Sequence, residues 1–422
     1  MNEGHAQNAH DAVHDHRELG RELGLFGSDP LIGAGLPYWL PDGAAVRHAL
    51  EEYIRGQERA AGYRHVYSPV LGKRELYEIS GHWAHYRDDM FPPMELGGGE
   101  QVVLRPSLCP HHAVLFRSQA RSYRDLPLRL AELGGMFRAE LSGVLAGLTR
   151  VRAIQLNDAH LFCTPEQVEE EAAGALELIG RAYAAMGIRA ARYRLSLPGP
   201  GGKYAAAPEM WRRATEALVG VLERLGLPYE AEEGEAAFYG PKIDVQVRDH
   251  AGRESTLSTV QVDFHQPERF GLRYVGADGA RHRPVMVHRS VVGSVERAVA
   301  QLVEVHGGAF PAWLAPVQVA VLPVAAEQEA AAREFAARCV ALGLRVEVAD
   351  ARQGSLGARV RRARLVPYQG VIGAREAADG LVAPRLRDGR RPAPLPGPEL
   401  ASRIAALVGA YGVRLWDGPD AG

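Results

Sequence analysis

At PAWLAP, residues 311–316, the apolar residues of this chain change their rhythm, so that different sheets are expected on its two sides. Beyond the turn, runs of strand length (VQVAVLPV, LRVEVAD, YQGVIG) alternate with segments of helical spacing (EQEAAAREFAARCVALG, SLGARVRRARL). That alternation is the pattern of an α/β layer structure. Before the turn the order is mixed, which points to an α+β fold. Helical spacing covers about 43–61, about 110–121, 165–187 and about 208–226. YRHVYSPVL reads as a strand closing at Pro69. GGMFRAEL (134–141) and VRAIQLNDAHLFC (151–163), joined by SGVLAGLT, read as a long antiparallel hairpin. Further strands are expected at 235–248 and 255–264, and RPVMVHRSVVGSVERAVAQLVEVHG starts as a strand and becomes a helix.

Composition narrows the setting. With 422 residues, 46% of them hydrophobic and 24% charged, the chain can build several ordinary cores. A net charge of -2 gives no whole-chain field for nucleic acid or membrane, although a single basic face is enough for RNA. No apolar run reaches the ~18 residues that span a bilayer, so no membrane association is expected. Three cysteines, Cys109, Cys163 and Cys339, do not make a disulfide framework and fit a reducing cytoplasm. His5, His10, His14 and His16 near the start could form a metal tract, but a solvated tail running into a helix is the expected form. From residue 313 onward there are 15 arginines and no lysine against 11 acidic residues, and Arg359, Arg361, Arg362 and Arg364 cluster. Guanidinium binds phosphates and base edges bidentately, and a solvated helix face would also explain the cluster.

Several segments, in the same order, resemble the threonyl-tRNA synthetases. They include DHRELGRELGLF, GHWAHYRDDMF, LRPSLCPHH, RDLPLRLAELGGMFRAELSG, GLTRVRAIQLNDAHLFCTPEQ, AFYGPKIDV, STVQVDF, PVMVHRSVVGSVER and FPAWLAPVQV. The resemblance spans about residues 15–415. It implies an N-terminal tail and entry helix (1–30), a class II catalytic domain on an antiparallel sheet (31–312) and an α/β anticodon-binding domain (313–422). The activity it implies is ATP-dependent activation of threonine and transfer to tRNA-Thr. Partners would be ATP with Mg²⁺, threonine or a close analogue, and tRNA. Pro69 would close the helix–strand motif that makes these enzymes homodimers.

The resemblance also assigns residues. Cys109, His160 and His288 fall on the positions of the zinc ligands, one ion per subunit; their spacings of 51 and 128 residues would not nominate them. A thiolate and two imidazoles leave a fourth position open for the substrate's amino and hydroxyl groups, which valine cannot fully satisfy. Arg138 and Arg297 would be catalytic, and Arg138, Glu140, Arg150, Ile154 and Arg297 would form the ATP site. Asp158, Tyr239, Lys242, Gln261 and Leu156 would line the amino-acid pocket, and Gln353, Glu376 and Arg385 would read the anticodon. The chemistry is in-line attack of a carboxylate on the α-phosphorus, so charge neutralisation and alignment are needed more than an acid–base pair.

Some positions depart from the family. Ile154 stands where a Phe stacks on adenine, Leu156 where a Gln lies beside the substrate carboxylate, Ala139 for an Asn and Ser258 for a Gly. His111 replaces the glycine of CPGH and is expected as an exposed bystander. The family's N-terminal modules, the editing domain included, are expected to be absent, which leaves serine poorly excluded because one methyl separates it from threonine. Two alternatives to the charging enzyme remain. One is a paralogue that activates threonine or a β-hydroxy amino acid for specialised metabolism or antibiotic resistance. The other is a non-catalytic RNA-binding module.

Overall fold

The computed structural model of the chain describes residues 15–201 and 204–417. His5, His10 and His14 lie outside the described residues. α1 (His16–Glu22) starts at Asp15, whose carboxylate caps the Arg17 amide, and α2 (Pro41–Ala60) starts with Pro at its first turn, where the missing N–H costs nothing. β1 (Arg64–His65), β2 (Leu128–Phe137) and β3 (Ala153–Cys163) follow, with α3 (Cys109–Arg117) between the first two. Then come α4 (Val168–Met186), β4 (Arg192–Leu197), α5 (Pro208–Arg224) and β5 (Tyr229–Glu233). β6 (Lys242–Arg248), β7 (Glu254–Asp263), β8 (Val285–Ser290) and α6 (Val295–His306) complete this part.

The strands form an eight-stranded sheet in the order β5-β4-β6-β7-β8-β3-β2-β1. Its centre, from β4 to β2, is antiparallel, and each edge adds one parallel pair. The α+β class is therefore as expected. The hairpin is also present, but β2 begins at Leu128 and stops at Phe137, short of the expected end at 141. The Ala139 amide turns away to the Asp89 carbonyl, so Arg138, Ala139 and Glu140 leave the sheet. The strand expected from 235 begins only at Lys242, because the Gly234 and Ala236 amides bond back to Leu197. β4 and β5 were not expected: their outward Arg192, Glu230 and Glu232 pair with one another and hide the alternation.

Past residue 316, β9 (Val319–Pro323), α7 (Glu329–Ala341), β10 (Val346–Val348), α8 (Leu356–Arg362) and β11 (Tyr368–Ile372) carry the expected alternation. α9 (Ala374–Asp379), β12 (Leu381–Leu386), β13 (Leu395–Pro396) and α10 (Gly397–Gly409) extend it. β9, β10 and β11 are parallel, whereas β12 and β13 run antiparallel, which makes the sheet mixed. The two largest apolar cores lie one against each main sheet, and a smaller one gathers α3 with Phe162 and Phe270. Trp313 of the dividing turn is buried in the first core, its ring 4.7 Å from Tyr53 and 5.5 Å from Tyr411.

Candidate active site

The strand order brings distant residues into one row. Lys242 faces Gln261, Gln261 faces His288, and His288 faces His160, each as directly opposed residues of neighbouring antiparallel strands. Opposed residues share a face, so all four side chains project to the same side of the sheet. Along β3 the period of two puts Ile154, Leu156, Asp158 and His160 on that side as well. Cys109 is supplied from the start of α3. The ligand atoms of Cys109, His160 and His288 lie within 4.8 Å of one another, and all three residues are buried.

Hydrogen bonds around this trio fix which atoms remain free. His112 Nε2 lies 3.2 Å from the Glu132 carboxylate, and His112 Nδ1 lies 2.8 Å from His160 Nδ1. With Nε2–H donated to Glu132, His112 Nδ1 accepts from His160 Nδ1–H, and the lone pair of His160 falls on Nε2. That Nε2 is buried without a hydrogen-bond partner. His288 holds Asp263 through Nε2 at 2.9 Å, leaving Nδ1 as its open nitrogen. Glu132 is itself held by Ser68 at 2.7 Å and Arg105 at 2.9 Å, and the hydrogen bonds of His112 and Ser68 with the charge of Arg105 keep its carboxyl at about 2 despite burial. One thiol and two oriented imidazoles, one of them with an orphaned buried nitrogen, suit a zinc ion. Burial pushes the Cys109 thiol up to about 12 and holds His160 well below the usual histidine range. Metal occupation would therefore have to displace the thiol proton.

The trio sits beside a cleft of about 520 Å³. Every residue expected in the nucleotide and amino-acid sites lines it: Arg138, Glu140, Arg150, Ile154, Arg297, Leu156, Asp158, Tyr239, Lys242 and Gln261. Arg138 makes no side-chain hydrogen bond or ion pair among the described residues. Arg150 pairs with Glu140 at 2.8 Å, and Arg297 donates to the Thr149 carbonyl at 2.8 Å. Burial and the neighbouring Arg138 and Arg150 lower the Arg297 pKa, a mark of cations crowded with little compensating charge. Tyr239 stacks on His288 at 4.9 Å and donates to Gln261 at 2.7 Å. Lys242 is held at 2.9 Å by the buried Asp244. Asp158 is pushed up to about 6 by burial, against the pull of His112, His288 and Arg289.

Other expectations need correction. Ser258 does not line the cleft; it is fully buried, donating to the Val291 carbonyl at 2.5 Å and bonding the Tyr183 hydroxyl at 2.8 Å. Ala139 stands outside the cleft too. His111 is buried rather than exposed, packed near Tyr77 with its Nδ1 unpartnered, and burial lowers its pKa to about 4. His16 is locked inside the fold, not part of a solvated tail. Its neighbours Asp15 and Glu304 complete a second trio that could hold a metal, but both nitrogens of its ring are already engaged.

In the second sheet the expected base readers are spread out. Gln353 precedes α8 and accepts from Arg362, Glu376 caps the Gly373 amide, and Arg385 lies on β12 opposite Gln369. No hydrogen bond joins these three among the described residues. Arg359 leaves the basic cluster: it is buried and donates to the carbonyls of Gly354, Pro323, Ala349 and Val324. Arg361, Arg362 and Arg364 stay exposed. Sequence reasoning also missed Glu132, Arg105 and His82, whose Nε2 lies 3.7 Å from Cys109 Sγ; all three fall inside recognised segments, with no spacing to single them out.

The family model described as tRNA synthetase class II core domain (G, H, P, S and T) matches residues 94–306, and the anticodon binding domain matches 318–407. A threonine--tRNA ligase of Levilactobacillus brevis is 48% identical over 402 residues, covering 94% of this chain and 62% of that protein. One from Lactobacillus helveticus is 51% identical over 373 residues, covering 87% and 58%. The chain thus spans about three fifths of the length of these relatives. The crystal structure of the RNA binding domain of threonyl-tRNA synthetase from Cryptosporidium parvum superposes with a TM-score of 0.87 at 35% identity. That match covers 93% of this chain and 98% of the other.

Proposed function

The chain belongs to the threonyl-tRNA synthetase family within the class II synthetases, and from that premise we propose that it activates threonine with ATP and transfers it to tRNA-Thr. The observation that carries the proposal is a single cleft with cations on one wall and a three-donor metal trio at its side. Arg138 and Arg297 take the α-phosphate and adenine ends of ATP, and Arg150, held by Glu140, faces the γ-phosphate with Mg²⁺. Fixed guanidinium groups neutralise charge that develops on the phosphate oxygens as the threonine carboxylate attacks and pyrophosphate departs. Cys109, His160 and His288 would hold zinc, which when bound offers an open position to amino and hydroxyl groups. Asp158 accepts the threonine hydroxyl, and Tyr239, Lys242 and Gln261 shape the rest of the pocket.

The acceptor would be tRNA, with Arg361, Arg362 and Arg364 offering phosphate contacts and Gln353, Glu376 and Arg385 meeting the anticodon. A homodimer is proposed through the surface next to Pro69, where Tyr67, Val70 and Leu71 are exposed apolar residues. The proposed compartment is the cytoplasm, in keeping with three unpaired cysteines. No helix among the described residues is long and apolar enough to cross a membrane.

A second reading is favoured by one observation: Ile154 and Leu156, both apolar, face the cleft in the row that ends at Asp158 and His160. Such a wall suits a paralogue that activates a related β-hydroxy amino acid. Exchange of labelled pyrophosphate into ATP, tested over a panel of amino acids, is the deciding assay. Threonine-dependent exchange followed by accumulation of threonyl-tRNA supports charging. Exchange only with another β-hydroxy amino acid supports the paralogue, and no exchange at all leaves an RNA-binding module.

A further inference from the structure

His16 lies on α1, far in sequence from the cleft, yet it is bonded to the loop that carries Arg150 of the cleft. Its Nδ1 is 2.6 Å from Glu304 of α6, and its Nε2 accepts the Leu148 amide at 3.2 Å. Only the neutral ring with its proton on Nδ1 satisfies both bonds at once. Leu148 is fully buried, and its neighbour Thr149 supplies the carbonyl that holds the Arg297 guanidinium at 2.8 Å. Arg150 comes next, and Arg152 then ties the other end of the loop to the same N-terminal segment. Its amide donates to the Gly35 carbonyl at 2.8 Å, and its guanidinium to Ala34 at 3.1 Å and to the Glu140 carbonyl at 2.9 Å. The approach is tight, because a Cβ at Gly147 would come within 2.5 Å of His16 Nε2.

We propose that His16 is a positioning residue of the nucleotide site, holding through the Leu148 amide the loop that aligns Arg150 and Arg297. The proposal rests on the ligase reading and adds the N-terminal segment to the ATP site. Loss of the bond frees the loop and misaligns cations that act only when fixed. Its effect falls on ATP, since the metal trio and Asp158 are attached to strands that His16 does not touch.

The test is threonine-dependent pyrophosphate exchange by the full chain, with ATP binding measured by calorimetry in parallel. His16→Ala should raise the KM for ATP about tenfold, while the KM for threonine stays within about twofold. His16→Gln, which can accept from Leu148 and donate to Glu304, should recover most of the loss. Gly147→Ala, which crowds His16 Nε2 and also strains the backbone at φ +49°, should raise the KM for ATP at least as much, and serves as the test where His16→Ala does not fold. An unchanged ATP KM and affinity in folded Gly147→Ala overturns the proposal, and so does a Gln variant as impaired as Ala. Absence of exchange in the unaltered protein would instead sink the ligase reading, while the ATP affinities of the variants would still judge His16.

Discussion

Replacing Glu132 by Gln should cost both stability and metal, and the amounts follow from its surroundings. The carboxylate is almost fully buried, yet its pKa falls from 4.5 to about 2. Burial alone would raise it, and the hydrogen bonds of His112 and Ser68 and the charge of Arg105 reverse that. A depression of this size corresponds to about 3 kcal/mol of stability at neutral pH, to order of magnitude. Because the folded value is the lower one, the contribution is complete above the unfolded pKa near 4.5 and disappears as pH falls through about 2. At pH 3 about half of it should remain, from the same linkage. Glu132→Gln also leaves Arg105 buried beside a neutral group, although Ser68, Pro69 and Gly135 still accept from its guanidinium. Urea unfolding should therefore show a loss of about 3 kcal/mol at pH 7 that shrinks on acidification. The same variant keeps one acceptor oxygen for two sets of donors; with that oxygen on Arg105 its NH2 faces His112 and no longer orients it or His160, so zinc affinity by competition with a chelator should drop by about 10- to 100-fold. A difference that does not change between pH 7 and 3, or zinc held as tightly as before, would refute the relay from Glu132 to His160.

Other outcomes can be stated more briefly. Cys109→Ala should release zinc by elemental analysis and abolish threonine activation together, because only two of the three donors remain. Arg297→Ala should lower the exchange rate by about 10²-fold or more, as expected for a fixed cation at developing charge, with little change in melting temperature because its guanidinium donates only to the Thr149 and Thr256 carbonyls at the cleft wall. Trp313→Ala should destabilise the protein by about 3–5 kcal/mol in urea unfolding, since it empties the contact between Tyr53 and Tyr411. Leu156→Gln should improve the KM for threonine if the charging reading is right, and leave it unchanged or worse if the apolar wall serves another amino acid.

Much of the architecture could be read directly. The helices at 41–60 and 168–186 show their apolar period and their Pro and Gly ends, and the turn at 311–316 marks where the second sheet begins. Local chemistry decides such elements, because capping and periodicity act within a few residues. The charged strands β4 and β5 were hidden for the same reason: their arginine and glutamate side chains are satisfied by neighbouring strands, not by their own segment.

The candidate site residues were nominated through recognised segments, but their convergence was not legible. His160 and His288 touch only because β8 lies between β7 and β3, so that residues 128 apart become cross-strand neighbours. Tertiary structure alone turned Glu132 and His112 into orienting groups, withdrew Arg359 from the basic surface, and buried Ser258 against Tyr183 and Val291. Sequence period specifies which face a side chain takes; strand order and burial decide what it meets there, and with that its charge and its chemistry.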